Sequence, residues 1–254
     1  MFVFIRRVRR ALLAEGRLGR YVAYAAGELL LVVAGILIAL QIDTWNEQRK
    51  DRERELGYLR SIRADLVANI EEMERYLQIR SGHIDAAQRI LGYFGGARPD
   101  DYSAFNADAV GIYSWQRFYQ TNNTYEELVN SGNFGLLGNT RIKHGLLDIE
   151  TLYRKMKGEE DHFRFDSETL IYGPLYALMD LQPLVEDFAF TQSGGKSGRR
   201  LESGDVFEDY FHHRMLKNGF LMTVIEFDTM NAQMREMKSL ATTLIAEIDA
   251  EIAR

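Results

Sequence analysis

The sequence contains no cysteine, and among its 254 residues there are only three prolines. Without cysteine it is not a small secreted module held together by disulfide bonds, although this absence does not decide the compartment in which the protein works. With 46% hydrophobic residues, 27% charged residues and 21 glycines, it is neither a collagen nor a disordered tail. The chain is long enough to bury a real hydrophobic core.

An excess of positive charge is also lacking. The formal net charge is −6, and residues 43–254 alone carry 25 basic and 35 acidic side chains, which is a net charge of −10. Because an acidic surface repels phosphate groups, we expect this part of the chain not to bind nucleic acid.

Charge is almost absent from one segment, Tyr21 to Ile42. As a helix, these 22 residues would be ~33 Å long, close to the ~30 Å hydrocarbon thickness of a lipid bilayer. Tyr24 lies near one end and Trp45 just beyond the other, where aromatic rings settle at the headgroup level. We therefore predict an uncleaved transmembrane helix over residues 21–42, in preference to a buried core helix or a cleaved signal peptide.

Basic residues flank this segment equally, with six before it and six in the ~20 residues after it, so their count alone does not set its orientation. A first hydrophobic segment normally keeps its short basic tail inside, and a long following domain is translocated largely regardless of its charge. The prediction is a single-pass membrane protein. Residues 1–20 would be a cytoplasmic tail and residues 43–254 an extracytoplasmic domain.

Small residues recur on one face of the predicted span, together with one acid, Glu28. Such a stripe lets two helices approach closely, and an ionised carboxylate in hydrocarbon is costly unless it is paired. We predict that the span associates with a second copy or with a partner helix; the alternative is a solitary anchor in which Tyr24 pairs with Glu28. The candidate residues are Ala23, Gly27, Glu28, Gly35 and Ala39.

Apolar residues recur in heptads from Leu56 to Phe94, interrupted by Arg63 and Arg80. This pattern predicts a long helix with a continuous packing seam, as in a coiled coil. A second seam, from Phe220 to Ile248, runs through the last predicted helix. Since no segment alternates with period two, the predicted fold is all-α: one N-terminal transmembrane helix, then an extracytoplasmic helical bundle whose long first and last helices are antiparallel.

The segment between the two long helices carries further signals. Asn139 is a typical cap for a helix from Thr140 to about Lys157, and residues 159–189 predict more helix interrupted by two prolines. Residues 191–205 are rich in glycine and serine, which predicts a mobile surface loop.

Aromatic residues crowd the stretch from Tyr102 to Tyr125. Aromatic side chains at this density either pack as core between helices or line a ligand pocket. The candidate pocket residues are Tyr113, Trp115, Phe118 and Tyr119.

No catalytic arrangement stands out in the sequence. His212 and His213 each follow an acid by four residues, but no third metal ligand is recognisable nearby, so ordinary surface pairs on a helix are the preferred interpretation. Residues 159–162, Glu-Glu-Asp-His, are interpreted as a solvated turn or helix start. The sequence therefore predicts no catalytic residue, no cofactor and no metal site, and an enzyme is the least favoured class.

Several short motifs accompany the hydrophobic segment: AGE at residues 26–28, VVAGILIALQI at residues 32–42 and WNE at residues 45–47. Together they resemble the signature of a bacterial family, domain of unknown function 6090. TYEELVNSGNFGLL at residues 124–137 is similar to a second motif of that family. The resemblance implies a protein of the bacterial inner membrane with a short basic tail, one span and a helical extracytoplasmic domain. It implies no catalytic residue, since the family has no assigned activity.

These features favour a membrane-anchored protein that binds a protein partner or scaffolds a complex of the cell envelope. The alternative is a sensor-like helical bundle that binds a small ligand in the aromatic stretch. An apolar cavity lined by Trp115, Phe118 and Tyr119 would favour ligand binding, whereas a filled core would favour the scaffold.

Overall fold

The computed structural model describes residues 18–254, so almost all of the predicted tail at residues 1–20 lies outside the described residues. The chain divides into two compact units, with the boundary between Gly57 and Tyr58. All regular structure in residues 18–254 is helical, as predicted. The α-helices are α1 (Leu18–Tyr93), α2 (Tyr102–Tyr113), α3 (Asn123–Asn130), α4 (Thr140–Asp166), α5 (Gly173–Leu178), α6 (Leu181–Gln192), α7 (Glu208–His212) and α8 (Arg214–Ile252). Two 3₁₀ segments, Asn133–Leu136 and Asp205–Phe207, and a π-helical segment, Ser167–Tyr172, connect some of them.

The first unit contains the apolar segment, which forms the N-terminal part of α1. Its large apolar side chains are exposed, among them Leu31, Ile36 and Leu40. In the described part of the chain, α1 is the one helix that could cross a membrane by its length and composition. This is consistent with the predicted span, although the side chains of Tyr21 and Ala23 lie outside the described residues.

The second unit begins with residues 58–93 of α1, whose packing seam differs in part from the predicted one. Among the predicted apolar heptad positions, Leu59, Leu66 and Met73 are buried, whereas Leu77 and Ile84 are only half-buried. A different row of positions spaced by sevens completes the seam: Ile62, Asn69, Tyr76, His83 and Ile90. The sequence pattern missed this row because three of its five members are polar.

Two polar members of this row, Asn69 and Tyr76, bond to the backbone that follows α2. The Asn69 amide donates to the Thr121 carbonyl at 2.8 Å and accepts from the Thr121 N–H at 2.7 Å. The Tyr76 hydroxyl donates to the Arg117 carbonyl at 2.6 Å. Because buried polar groups need such partners, these bonds hold the non-helical segment after α2 against α1.

The last helix, α8, carries the predicted second seam, and all of the apolar residues assigned to that seam between Phe220 and Ile248 are buried. It contacts two other long helices. Arg63 of α1 pairs with Asp249 of α8 at 2.6 Å, and Arg141 of α4 pairs with Glu247 of α8 at 3.2 Å. Helix α8 therefore lies beside both α1 and α4.

Helix α4 begins as predicted but continues beyond Lys157. The Asn139 side chain accepts from the Arg141 N–H at 3.0 Å, which caps the helix. After Asp166 the chain passes directly into the π-helical segment. Gly219 of α8 lies so close to this segment that an added Cβ would be 2.5 Å from Ile171 Cγ1. A residue without a side chain is therefore required where α8 passes the π-helical turn.

The predicted loop at residues 191–205 is non-helical over most of its length, and its later part is attached to the core. Asp187 of α6, which is fully buried, accepts from the Leu201 N–H at 2.8 Å and from the Asn106 amide at 2.8 Å. Leu201 itself is buried. One carboxylate thus ties the loop to both α6 and α2.

Candidate functional site

A buried ion pair joins α1 to α4 within the second unit. Arg80 is 2% exposed and Glu160 is fully buried. Arg80 Nη2 donates to Glu160 Oε1, and the carboxylate also accepts from the Phe118 N–H at 2.9 Å and from Lys157 Nζ at 2.7 Å. Burial lowers the pKa of Arg80, and the negative charge of Glu160 acts in the opposite direction. Both charges are therefore compensated inside the unit.

The interpretation of residues 159–162 as a solvated turn is wrong for Glu160. Met156 and Phe163, four residues before it and three after it, are buried on the same face of α4. Asp161 is exposed, so the run of polar residues spans more than one helix face. Composition alone does not reveal which of these carboxylates points inward.

A cavity of about 360 Å³ lies beside this ion pair. Its volume falls within the range of roughly 300–1,000 Å³ that is usual for small-molecule sites. In the described part of the chain its lining includes two arginines and a histidine and no acidic side chain. The principal lining residues are Arg75, Arg80, His83, Trp115, Phe188 and Phe227.

Two polar atoms of this lining are buried and have no hydrogen-bond partner among the described residues: Arg80 Nε and His83 Nδ1. Burial lowers the pKa of His83, and the positive charge of Arg80 lowers it further. The imidazole is therefore neutral at neutral pH, with one donor and one acceptor. An unsatisfied buried polar group costs roughly 1–3 kcal/mol, and a bound molecule with complementary polar atoms would recover part of that cost.

The four predicted pocket residues do not meet in one cavity. Trp115 lines the 360 Å³ cavity, whereas Tyr113 lines a second cavity of about 410 Å³ whose walls are mainly apolar. Phe118 is fully buried and packs edge-on against Tyr76 at 5.5 Å between ring centroids. Tyr119 is 67% exposed. The aromatic stretch thus supplies both core and cavity wall, and Trp115 is its member beside the unpartnered polar atoms.

A second polar cluster joins α4 to α8. His162 Nδ1 lies 2.8 Å from Glu226 Oε1, and one oxygen or nitrogen atom from each of His162, Asp166 and Glu226 lies within 4.8 Å of the other two. Burial raises the pKa of Glu226 to about 7, the charge of Asp166 acts in the same direction, and the hydrogen bond from His162 opposes them. That hydrogen bond raises the pKa of His162.

Sequence reasoning missed this cluster because Glu226 is 64 residues away from His162 along the chain. The available signal was the four-residue spacing of His162 and Asp166, which places both side chains on one helix face.

The histidines that sequence reasoning weighed as metal ligands lie elsewhere. His212 Nδ1 bonds to the Glu208 carbonyl oxygen at 2.8 Å, a contact within one turn of α7. Neither His212 nor His213 belongs to a group of three potential metal ligands in residues 18–254. His212 is the last residue of α7, but His213 lies between α7 and α8, and its Nδ1 atom is buried without a hydrogen-bond partner among the described residues, so the predicted surface pair of His213 with Asp209 on one helix is not found.

The predicted helix-association residues lie on the apolar part of α1. A Cβ added to Gly27 or Gly35 would meet no atom within 4 Å, and Glu28 and Ala39 are exposed. The side chain of Ala23 lies outside the described residues. At the four described positions, no other part of the first unit covers this face of α1.

Residues 28–92 match the model of a family of unknown function, DUF6090. The match supports membership of the DUF6090 family. It includes Arg80 and His83 of the cavity but ends before α4 and α8, and it brings no assigned activity. The family resemblance inferred from the sequence is thereby confirmed. No curated protein and no solved structure matches the chain.

Proposed function

We propose that this DUF6090 protein is a membrane-anchored, sensor-like helical protein that binds a small organic anion in the 360 Å³ cavity. The observation that carries the proposal is a basic cavity lining, with Arg80 Nε and His83 Nδ1 unpartnered, inside a domain of net negative charge. Of the two functions left open by the sequence, we favour ligand binding because there is a cavity; Trp115 lines it, whereas Phe118 and Tyr119 do not, and its partly polar lining differs from the apolar one expected.

The lining suggests the chemistry of the ligand. Arg80 Nε is a donor suited to a carboxylate oxygen, and Arg75 adds positive charge although it also pairs with Glu72 at 2.9 Å. Trp115 and Phe227 contribute aromatic surface for an apolar body. The best match is a small carboxylate that carries an aromatic or branched aliphatic group.

Phenylacetate is a suitable probe for this class. In a Trp45→Phe background, Trp115 is the remaining tryptophan, and its fluorescence reports on the cavity wall. We expect phenylacetate to change this fluorescence in a saturable way in the full-length protein in detergent. The neutral analogue phenylacetamide keeps one acceptor oxygen but lacks the negative charge, so its hydrogen bonds to arginine are weaker and it should bind roughly tenfold less tightly.

A matched pair of glycine substitutions tests the location. A Cβ on Gly111 would meet only His83 Nε2, at 4.0 Å, so Gly111→Leu should occupy the cavity and abolish the response to phenylacetate. Gly158 is exposed with open space around it, so Gly158→Leu should leave the response unchanged. Equal responses in the two variants, or no saturable response in the parent, would contradict a ligand site here.

The topology of the anchor is part of the proposal. Residues 21–42 would cross the bacterial inner membrane once, with the tail cytoplasmic and residues 43–254 extracytoplasmic. Antiparallel packing of α1 and α8 is supported by two ion pairs, Arg63 with Asp249 and Glu74 with Lys238, because the numbering rises along one helix as it falls along the other. Protease added to intact spheroplasts tests the orientation, since it should digest only an extracytoplasmic domain.

A scaffold or interaction role is the second candidate, and the open small-residue face of α1 favours it. If the span self-associates through this face, Gly35→Leu and Glu28→Ala should shift the protein towards monomer in detergent, measured by sedimentation. Val33→Leu places the same leucine side chain on the opposite face and should leave association intact. If the parent and all three variants are monomeric, the span is a solitary anchor.

A further inference from the structure

We propose that His162, Asp166 and Glu226 bind a divalent transition-metal ion of the Zn²⁺ type, at a site distinct from the cavity. His162 and Asp166 are one turn apart on α4, and Glu226 faces them from α8. In residues 18–254 this is the one group of three or more such side chains whose potential ligand atoms converge. It joins two helices, and an ion there would crosslink them.

An independent observation points to a missing cation. Glu226 is only 5% exposed, and its Oε2 atom is buried without a hydrogen-bond partner among the described residues. Its ion-pair partner in residues 18–254 is His162, which contacts the other carboxylate oxygen, Oε1. A buried carboxylate oxygen without a donor is costly, and a metal ion would satisfy it directly.

The ligand set favours a transition metal over Mg²⁺ or Ca²⁺. Imidazole nitrogen suits Zn²⁺, Fe²⁺ and related ions, whereas Mg²⁺ and Ca²⁺ prefer oxygen ligands throughout. Tetrahedral bonds of ~2.1 Å place ligand atoms ~3.4 Å apart. The three candidate atoms lie within 4.8 Å of one another, so side-chain movement of roughly 1 Å would complete the site. The His162 side chain is 61% exposed, which leaves room both for that movement and for water as a further ligand.

The surrounding packing fixes the two helices at this point. Phe163 and Phe227, each next to a proposed ligand, pack with their ring centroids 4.5 Å apart. Trp115 packs edge-on against Phe163 at 4.9 Å. The π-helical segment starts immediately after Asp166, and such turns within helices are often found at functional sites. The ligands are thus held by rigid elements, as a metal site requires.

Calorimetric titration of the full-length, metal-free protein in detergent with ZnCl₂ tests the proposal. We expect one ion bound per chain. Mutation of a residue that hydrogen-bonds to a metal ligand typically weakens metal binding about 10- to 100-fold. Removal of a ligand itself should weaken binding at least as much. His162→Ala, Asp166→Asn and Glu226→Gln should each show this loss, while MgCl₂ should bind far more weakly to the parent.

Helix α4 supplies a matched control. His144 and Asp148 have the same four-residue spacing as His162 and Asp166, and both are exposed, but in residues 18–254 they belong to no converging group of three. His144→Ala should therefore bind Zn²⁺ as the parent does. Circular dichroism without metal checks the fold, and Glu226→Gln preserves the shape of the side chain if His162→Ala disturbs it.

Two results would overturn the proposal. One is no calorimetric binding of Zn²⁺ to the parent up to millimolar concentration. The other is an affinity that is the same in the parent and Glu226→Gln, or that falls equally in His144→Ala and His162→Ala, because either pattern would mean adventitious binding to surface side chains. Loss in the three site variants alone supports the site.

Discussion

Substituting Glu160→Gln should destabilise the second unit by about 3–5 kcal/mol, the usual cost of leaving one partner of a buried ion pair uncompensated. The substitution keeps an acceptor for the Phe118 N–H but leaves the guanidinium of Arg80, which is 2% exposed, without a countercharge. Denaturant unfolding of the full-length protein, followed by Trp115 fluorescence in the Trp45→Phe background, measures the change in the free energy of unfolding.

Two further variants separate charge from packing. Asp249→Asn removes the partner of Arg63 in an ion pair that is largely exposed, so it should change the free energy of unfolding far less. Adding Arg80→Met to Glu160→Gln should restore much of the lost stability, since the uncompensated charge disappears and a similar apolar volume replaces it. If Glu160→Gln is no more harmful than Asp249→Asn, the buried pair does not stabilise the fold.

The fold class was predictable because its signals are local. Helical periodicity from Phe220 to Ile248 identified the buried face of α8 without knowledge of its partners, and Asn139 marked the start of α4. The length of the apolar segment is likewise a property of neighbouring residues. Each of these signals fits within a single helix, which is why sequence reasoning captures it.

The candidate sites depend on pairs that are distant in sequence. Arg80 interrupts an apolar heptad series and Glu160 lies in a polar run, so each alone resembles a solvated residue. Their burial makes sense only once the contact across 80 positions is known. The same holds for Glu226, whose partners lie on another helix, and for Asn69, which bonds to the backbone 52 positions away. Long-range pairing of polar groups leaves no periodic signal in the sequence.

The apolar part of α1 presents a related problem, since its side chains are exposed in the first unit. In the most hydrophobic stretch of this helix no residue is buried. Exposing that much apolar surface to water costs roughly 25 cal/mol per Å², and patches of this size on soluble proteins are rare. A lipid bilayer is the solvent that removes this cost, which is the physical basis for the proposed anchor.

Two arginines near the middle of the proposed span should therefore remove the protein from the membrane. Leu30→Arg and Val33→Arg lie on either side of its midpoint, and each should cost ~2.5–3.5 kcal/mol on insertion, or about a thousandfold or more together. Flotation of cell lysates in a sucrose gradient distinguishes the outcomes, because membrane-bound protein floats and aggregates sink. Asn46→Arg with Gln48→Arg adds the same charge beyond the span and should leave the protein in the floating fraction. If the Leu30 and Val33 variant also floats, the apolar stretch does not hold the chain in lipid.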